Sequence, residues 1–362
     1  MAEAVDLKAW ACAAVNAAVR ETVESVDSHK SQNAGASPSS SQEHPLVLVA
    51  CSGGRDSLAL AAVAHEALTP RGYHVGAVVV NHQLQEASHS VAERTARTCT
   101  HIGLSPVRIV SINVPSTRAG LESDARDARY AALASTAKEL NAACVLVAHT
   151  SNDVAETILM KLLRTPSPEA LTGIARERHI HHMRFVRPLL EFSREDTTQL
   201  CQEYNLSYWD DPTNGQDVEG ELDSSYPVRS RIRHDVLPLL SRITKRNVVQ
   251  LLANSAQSSR EDAQIIHEAV NDAYNRVMRE KNGVLEIKIR ALRAFPAAIQ
   301  RRVLVTALEN LDIRPTQSAI FSLLELSQIE QKKKTVKIST PLVANKLYEV
   351  IQLWKDSDYA NF

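Results

Sequence analysis

The chain has 362 residues, a length that favours two domains. Its 44% hydrophobic and 23% charged residues are typical of a globular protein with a buried core, and a formal net charge of -1 gives no overall indication of a nucleic-acid partner. No apolar run approaches the roughly 18 residues of a membrane span. No apolar segment follows a basic one at the N-terminus. The sequence therefore predicts neither a membrane partner nor a signal peptide.

Cysteine usage indicates the cellular compartment. The five cysteines are scattered along the chain and include no Cys-x-x-Cys pair. This pattern predicts reduced thiols in a cytoplasmic protein, without a disulfide framework, a zinc site or an iron–sulfur centre.

The first 240 residues have the pattern of an α/β protein. Residues 1–30 are predicted to form an N-terminal amphipathic helix, and the Ser-rich residues 31–44 a flexible linker. From 45 to 240, short apolar runs alternate with helical patterns, which predicts βαβ units and a parallel, Rossmann-like sheet. The predicted strands are 46–50, 75–80, 107–112 and 144–148, and the helices after them are 56–68, 88–102, 123–140 and 153–164. Ligands bind at the carboxyl ends of such strands, so the residues that follow each strand are the candidates for function.

The pattern changes towards the C-terminus. A helix over 193–205 and an acidic loop over 210–227 end the first part. Residues 245–362 then predict a mainly helical second domain. Its predicted helices are 247–280, 296–311 and 315–327, and its predicted short strands lie near 284–290, 335–339 and 346–353.

The segment after the first strand has the composition of a phosphate-binding loop. Its two glycines let the backbone approach an oxyanion, its serines offer hydroxyls, and the start of the next helix favours negative charge. The segment is neither a Walker A loop nor a G-x-G-x-x-G turn, so no flavin or nicotinamide cofactor is expected. The candidate residues are Ser52, Gly53, Gly54, Arg55, Asp56 and Ser57. The alternative is an ordinary glycine-containing turn.

Histidines and acids follow the other strands. His82 comes after the second strand and His149 after the fourth. Asp153 and Glu156 lie three residues apart and share one face of the helix that follows. Two carboxylates near a triphosphate can hold Mg²⁺ or an ammonium group, and the alternative is simple capping of the helix N-terminus.

A pair of arginines follows the third strand. Arg126 and Arg129 are also three residues apart, and guanidinium groups can contact phosphates bidentately. The alternative is a solvated helix face with ion pairs to Glu122 or Asp127.

In this order the motifs resemble those of the tRNA(Ile)-lysidine synthetases, a family of PP-loop ATP pyrophosphatases. The resemblance covers roughly residues 46–240 and is weaker beyond. The chain departs from the usual family pattern at Gln85, Asn152, Val154 and Ser230. The motifs that carry the resemblance are Ser-Gly-Gly-Arg-Asp-Ser at 52–57, Val-Asn-His-Gln-Leu at 80–84, Ala-Arg-Asp-Ala-Arg-Tyr at 125–130, Ala-His-Thr-Ser-Asn-Asp-Val-Ala-Glu-Thr at 148–157, Arg-Pro-Leu-Leu at 187–190, Asp-Pro-Thr-Asn at 211–214 and Arg-Ser-Arg-Ile-Arg-His at 229–234.

The resemblance implies a ligase. ATP would adenylate C2 of the wobble cytidine in a tRNA(Ile) with a CAU anticodon, and free L-lysine would then displace AMP, which changes codon reading from AUG to AUA. It implies ATP contacts from the 52–57 loop, His82 and Arg129, and a Mg²⁺ ion at Asp56. The implied catalytic residues are Asp56, Arg126, His149, Asp153 and Glu156.

A basic stretch beside the active domain predicts contact with tRNA phosphates. Only one acid, Asp235, interrupts it before position 246, and the alternative is a solvated helix with a buried stripe of Ile232, Val236 and Leu240. The candidate RNA-binding residues are Arg229, Arg231, Arg233, His234, Lys245 and Arg246. A homodimer is a further possibility.

Two other functions stay open from the sequence. A tRNA-thiolating enzyme of the same fold usually needs paired cysteines, which this chain lacks. A non-catalytic RNA- or nucleotide-binding protein would retain ATP without releasing pyrophosphate.

Overall fold

The computed structural model describes residues 6–31, 44–81, 88–112, 121–164, 168–211, 218–281, 284–331, 333–339 and 342–355. The chain divides into two compact units, Met1–Ser259 and Arg260–Phe362. None of the described helices is both long and apolar enough to cross a membrane.

The first unit is an α/β structure, as the alternating pattern predicted. Its strands are β1 (Leu46–Cys51), β2 (His74–Asn81), β3 (Val107–Ser111), β4 (Cys144–Leu146), β5 (Glu177–Ile180) and β6 (Met183–Val186). Its helices are α1 (Leu7–Ser31), α2 (Arg55–Leu68), α3 (Ser88–Ile102), α4 (Leu121–Glu139), α5 (Ser151–Arg164), α6 (Arg194–Glu203), α7 (Val228–Arg231) and α8 (Leu237–Thr244). A π-helical turn, Ile232–Val236, connects the last two helices.

The six strands form one sheet in the order β3-β2-β1-β4-β6-β5. All neighbours are parallel except β5 and β6. Successive residues of β1 enter different cores: Val47 and Val49 pack in the cluster that contains α2, and Leu48 packs with residues of α4. This burial on both faces explains why the strands are apolar throughout. Because β1 and β4 are adjacent and parallel, the segments after Cys51 and Leu146 leave the same edge of the sheet.

Helix α1 is part of the core of the first unit. Leu7, Ala11, Val15 and Val19 are buried in the same cluster as α2 and α6, at a spacing that places them on one helix face. The Trp10 ring also stacks on Phe192, with ring centroids 3.9 Å apart. Helix α1 therefore packs against the core of the first unit through its apolar face. Residues 32–43 of the predicted linker lie outside the described residues.

The second unit combines helices with an antiparallel sheet. Helix α9 (Val248–Val277) begins in the first unit and ends in the second. Then follow β7 (Met278–Lys281), β8 (Val284–Lys288), α10 (Ile289–Arg293), α11 (Ala297–Asn310), α12 (Gln317–Gln328), β9 (Lys333–Ser339), β10 (Leu342–Leu347) and β11 (Val350–Lys355). The strand order is β7-β8-β11-β10-β9. The unit has its own core, which includes Val277, Leu304, Leu323 and Leu353.

The division between the two compact units falls inside α9, between Ser259 and Arg260. The first half of α9 belongs to the first unit because Ala253 and Ala256 pack with Val154 and Ile158 of α5. Nothing in the local sequence pattern of a long amphipathic helix marks such a division. The roles of the two parts in catalysis and in tRNA binding stay predictions.

Candidate active site

The 52–57 loop connects β1 to α2 as a compact turn held by its own serines. The Ser57 hydroxyl donates to the Gly54 carbonyl at 2.8 Å and accepts the Ser52 amide at 3.2 Å. Gly54 is the N-cap of α2 in an extended conformation. The amide groups of the first helical turn have no partners within the helix, so the loop has the electrostatics of an anion site.

Gly53 is the position where the loop requires glycine. Its φ is +84°, and an added Cβ would lie 2.3 Å from the Thr95 hydroxyl of α3. Its carbonyl accepts the Trp209 amide at 2.9 Å. The backbone therefore takes a left-handed conformation and a close helix contact that a larger residue cannot reproduce.

Asp56 lies in the first turn of α2 and is held from two sides. Thr197 of α6 donates a hydrogen bond to its Oδ1, and the Arg55 Nε lies 3.3 Å from the same oxygen. Both described contacts of this carboxylate are on Oδ1. The arrangement suits a Mg²⁺ ion that accompanies ATP, because Mg²⁺ is usually held by one or two carboxylates together with phosphates and waters.

The predicted acid pair occupies the first turn of α5. Asp153 caps the helix, since its Oδ2 accepts the Thr150 amide at 2.9 Å and the Thr150 hydroxyl at 3.1 Å. The Glu156 side chain is fully buried. The capping interpretation thus holds for Asp153, whereas Glu156 makes no described contact of this kind.

Both acids are paired with arginines from three other elements, α7, the π-helical turn and α6. Arg229 donates from Nε to Glu156 Oε2 at 2.6 Å and from a terminal nitrogen to Asp153 Oδ1 at 3.0 Å. Arg233 donates from Nε to Glu156 Oε1 at 2.6 Å. A terminal nitrogen of Arg194 on α6 lies 3.7 Å from both carboxylates. Burial raises the pKa of Asp153, but the positive charges of Arg229 and Arg194 and the hydrogen bond from the Thr150 amide outweigh it, so the net pKa is lowered and the carboxylate is ionised.

The arginine–carboxylate contacts were not foreseen from the sequence. The spacing of Arg229 and Arg233 shows only that they share one helix face. Because two carboxylates are buried beneath them, much of their positive charge is neutralised within the protein. Their proposed contact with RNA stays a prediction, and the structure adds a definite internal role for both.

His149 follows β4 and is held by Arg187. The Arg187 Nε donates to His149 Nδ1 at 3.1 Å, which places the proton of the neutral ring on Nε2. Burial lowers the pKa of His149 to about 3, and the nearby positive charge of Arg187 acts in the same direction, against the opposing effect of Asp153. His149 is therefore a neutral hydrogen-bond donor through Nε2.

The predicted phosphate-contacting arginines of α4 flank one aromatic ring. Arg126 and Arg129 each have the guanidinium carbon 5.7 Å from the Tyr130 ring centroid. The Tyr130 hydroxyl accepts a hydrogen bond from Arg187 at 3.4 Å. Arg126 is exposed, whereas burial lowers the pKa of Arg129. A chain of contacts therefore runs from the two arginines through Tyr130 and Arg187 to His149.

The remaining RNA-binding candidates have different surroundings. His234 contacts Asp235 Oδ1 at 2.7 Å and the Val218 carbonyl at 3.2 Å, so it anchors the preceding loop. Arg231 has a buried Nε without a hydrogen-bond partner. Lys245 and Arg246 are exposed after the end of α8. His82, and residues 212–214 of the Asp-Pro-Thr-Asn motif, lie outside the described residues.

Sequence reasoning did not single out three side chains that organise the site: Arg187, Arg194 and Thr197. The first two lie in or near the Arg-Pro-Leu-Leu motif, which marked the family but gave no partners. Asn152, a departure from the family pattern, accepts the Arg194 amide at 3.0 Å and so joins the starts of α5 and α6. Helix α6 therefore connects the loop after β1 with the acids after β4.

Comparison with known proteins decides the family. Residues 25–240 match the model described as a PP-loop domain. The tRNA(Ile)-lysidine synthase of Bifidobacterium animalis subsp. lactis is 38% identical over 334 residues, covering 88% of this chain and 87% of that protein. The tRNA(Ile)-lysidine synthase of Streptomyces coelicolor is 42% identical over 262 residues, covering 72% and 70%. The chain belongs to the tRNA(Ile)-lysidine synthase family.

Membership in the lysidine synthase family confirms the resemblance seen in the motifs, and with it an ATP-using PP-loop domain. A solved structure, the U34-tRNA thiolase NcsA from Methanococcus maripaludis, is similar with a TM-score of 0.47 and 16% identity, over 60% of this chain and 73% of that one.

Proposed function

We propose that this protein ligates free L-lysine to C2 of the wobble cytidine in a tRNA(Ile) with a CAU anticodon, with ATP converted to AMP and pyrophosphate. The observation that carries the proposal is the pairing of a PP-loop after β1 with a buried acid–arginine cluster after β4, joined by α6. Family membership supports the same reaction.

In the first step, the C2 carbonyl oxygen of the cytidine attacks the α-phosphorus of ATP and pyrophosphate leaves. The amides of the loop and the Ser52 and Ser57 hydroxyls bind the departing pyrophosphate. Asp56 would hold the Mg²⁺ that accompanies ATP, and this ion would supply charge neutralisation for the phosphates. Arg126 and Arg129 bind the adenylate, and the neutral His149 donates a hydrogen bond from Nε2 to an anionic oxygen.

In the second step, the uncharged lysine ε-amine attacks C2, the C–O bond to AMP breaks, AMP leaves, and the surplus proton of the new amine passes to solvent. The α-ammonium group of lysine is placed at Asp153 and Glu156. Since Arg194, Arg229 and Arg233 already hold these carboxylates, lysine has to share or displace a guanidinium contact. The KM for lysine should therefore respond to Asp153→Asn more strongly than the KM for ATP.

The experiment is incorporation of labelled lysine into acid-precipitable tRNA, in the presence of ATP and Mg²⁺. Label that requires both ATP and the wobble cytidine supports the proposal. Pyrophosphate release that depends on tRNA but gives no label would point to another nucleophile, and sulfur would be tested first. A homodimer and a cytoplasmic location stay predictions from the sequence.

A further inference from the structure

A buried threonine hydroxyl of helix α6 contacts Asp56, the acidic residue of the 52–57 loop. Thr197 is fully buried and donates to Asp56 Oδ1. Two neighbouring contacts hold the same helix and the chain after it against the loop. The Cys201 Sγ lies 3.4 Å from the Arg55 carbonyl, and the Trp209 amide donates to the Gly53 carbonyl at 2.9 Å. These two contacts hold α6 and the segment after it against the residues that precede Asp56.

The hydroxyl has one proton and two acceptors within reach. Besides Asp56, the Arg194 carbonyl lies 3.0 Å from Thr197 Oγ1. An ionised carboxylate is the stronger acceptor, so the proton is directed at Asp56. Both hydrogen bonds that the described residues donate to Asp56 end on Oδ1, so Oδ2 has no donor among those residues. The hydroxyl therefore orients the carboxylate through one oxygen and leaves the other for a cation.

We propose that Thr197 is a positioning residue for Asp56, which presents the carboxylate to the Mg²⁺ that accompanies ATP. The inference rests on the proposed ATP chemistry and adds a residue of α6 to it. Hydrogen bonds that orient metal-binding carboxylates typically change metal affinity or activity by about 10- to 100-fold when removed. The same helix places Arg194 near Asp153 and Glu156 of α5. Helix α6 therefore contacts the carboxylate of Asp56 as well as those of the α5 acids.

The chain offers a matched control in the next residue. Thr198 also donates to the Arg194 carbonyl, at 2.8 Å, and has no described contact with Asp56. Thr197→Val keeps the shape and removes the donor, Thr197→Ser keeps the donor, and Thr198→Val removes the same kind of helix hydrogen bond without touching the loop.

The test measures Mn²⁺ binding in the presence of ATP, from the loss of the free-Mn²⁺ EPR signal, beside the Mg²⁺ dependence of pyrophosphate release. We expect Thr197→Val to weaken metal binding and to raise the Mg²⁺ midpoint about 10-fold at little change in kcat, with Thr197→Ser within about twofold of the parent. Thr198→Val should match the parent in both. If Thr197→Val does not fold, Thr197→Ala replaces it, because it removes the hydroxyl and puts no methyl group in its place beside Asp56.

Equal effects of Thr197→Val and Thr198→Val, or unchanged metal binding in Thr197→Val, would overturn the inference. These outcomes are independent of the lysine step. If the parent protein forms no modified tRNA but Thr197→Val still weakens Mn²⁺ binding, only the proposed function is refuted. If the parent forms modified tRNA but Thr197→Val leaves Mn²⁺ binding unchanged, only the role of Thr197 is refuted.

Discussion

Arg229 and Glu156 form an ion pair with Nε 2.6 Å from Oε2, as short as the pair between Arg233 and the other oxygen of Glu156. The two residues are distant in sequence and come from α7 and α5. Glu156 is fully buried and accepts from Arg233 as well, so one carboxylate pairs with two guanidinium groups. Burying such charges is tolerable only while all partners are present.

Replacement of Glu156 by Gln should therefore destabilise the first unit. Loss of one partner from a buried ion pair costs about 3–5 kcal/mol, since the remaining charges stay buried without compensation. Urea unfolding of Glu156→Gln measures this. The control is Glu93→Gln, whose exposed pair with Arg97 should contribute less than about 1 kcal/mol. Equal midpoints for the two variants would contradict the buried network.

The neutral state of His149 predicts a pH dependence of stability. Its folded pKa of about 3 lies below the unfolded value of about 6.5, so the unfolded chain binds the proton more readily. Its contribution to stability is complete above pH 6.5 and is lost as the pH falls towards 3, by at most about 1.4 kcal/mol per pH unit.

Urea unfolding at pH 7.5 and pH 5.5 checks this sign. The parent should lose more stability on acidification than His149→Gln, by about 1 kcal/mol. His101→Gln, at an exposed position of α3, should behave like the parent. A parent and a His149→Gln variant with the same pH dependence would show that His149 is not held neutral by the fold.

Gly53 can be tested against another glycine with a similar backbone. Gly53→Ala introduces both a strained positive φ and an overlap with Thr95, whereas Gly220, with φ +91°, has nothing within 4 Å of an added Cβ. The strain at positive φ costs about 1–2 kcal/mol in either variant. Only Gly53→Ala should also lose ATP binding, measured by isothermal titration. Retained ATP affinity in that variant would mean that the loop does not need its close contact with α3.

The basic residues between Arg229 and Arg246 should separate into two groups. Lys245 and Arg246 are exposed, so Gln at either position should lower tRNA affinity and reduce the salt dependence of binding by about one phosphate contact, at unchanged stability. Arg229→Gln should instead lower the unfolding midpoint, because it breaks the contact with Glu156. The measurements are tRNA binding at several salt concentrations and urea unfolding. A salt slope unchanged in both exposed variants would remove this segment from the tRNA-binding surface.

The sequence predicted the strands β1 to β4 and the loop after β1 because both depend on local signals, but it did not predict β5 and β6. Apolar strands, the glycine turn at 53 and the start of α2 lie within a few residues of one another. The acid–arginine cluster was not predicted as a unit, since Glu156 and Arg229 were found separately and assigned to different ligands. Thr197 had no signal at all, because a threonine inside a helix acquires its role only from the Asp56 side chain that the fold brings to it.

The most direct measurement is mass analysis of the nucleosides of a tRNA(Ile) with a CAU anticodon after incubation with the protein, ATP, Mg²⁺ and lysine. The proposed function predicts that the wobble cytidine gains lysine with loss of water, and that the product disappears when uridine replaces that cytidine or when lysine is left out. An unmodified cytidine despite tRNA-dependent ATP turnover would contradict lysine ligation. An unmodified cytidine without turnover would favour a protein that only binds nucleotide or RNA.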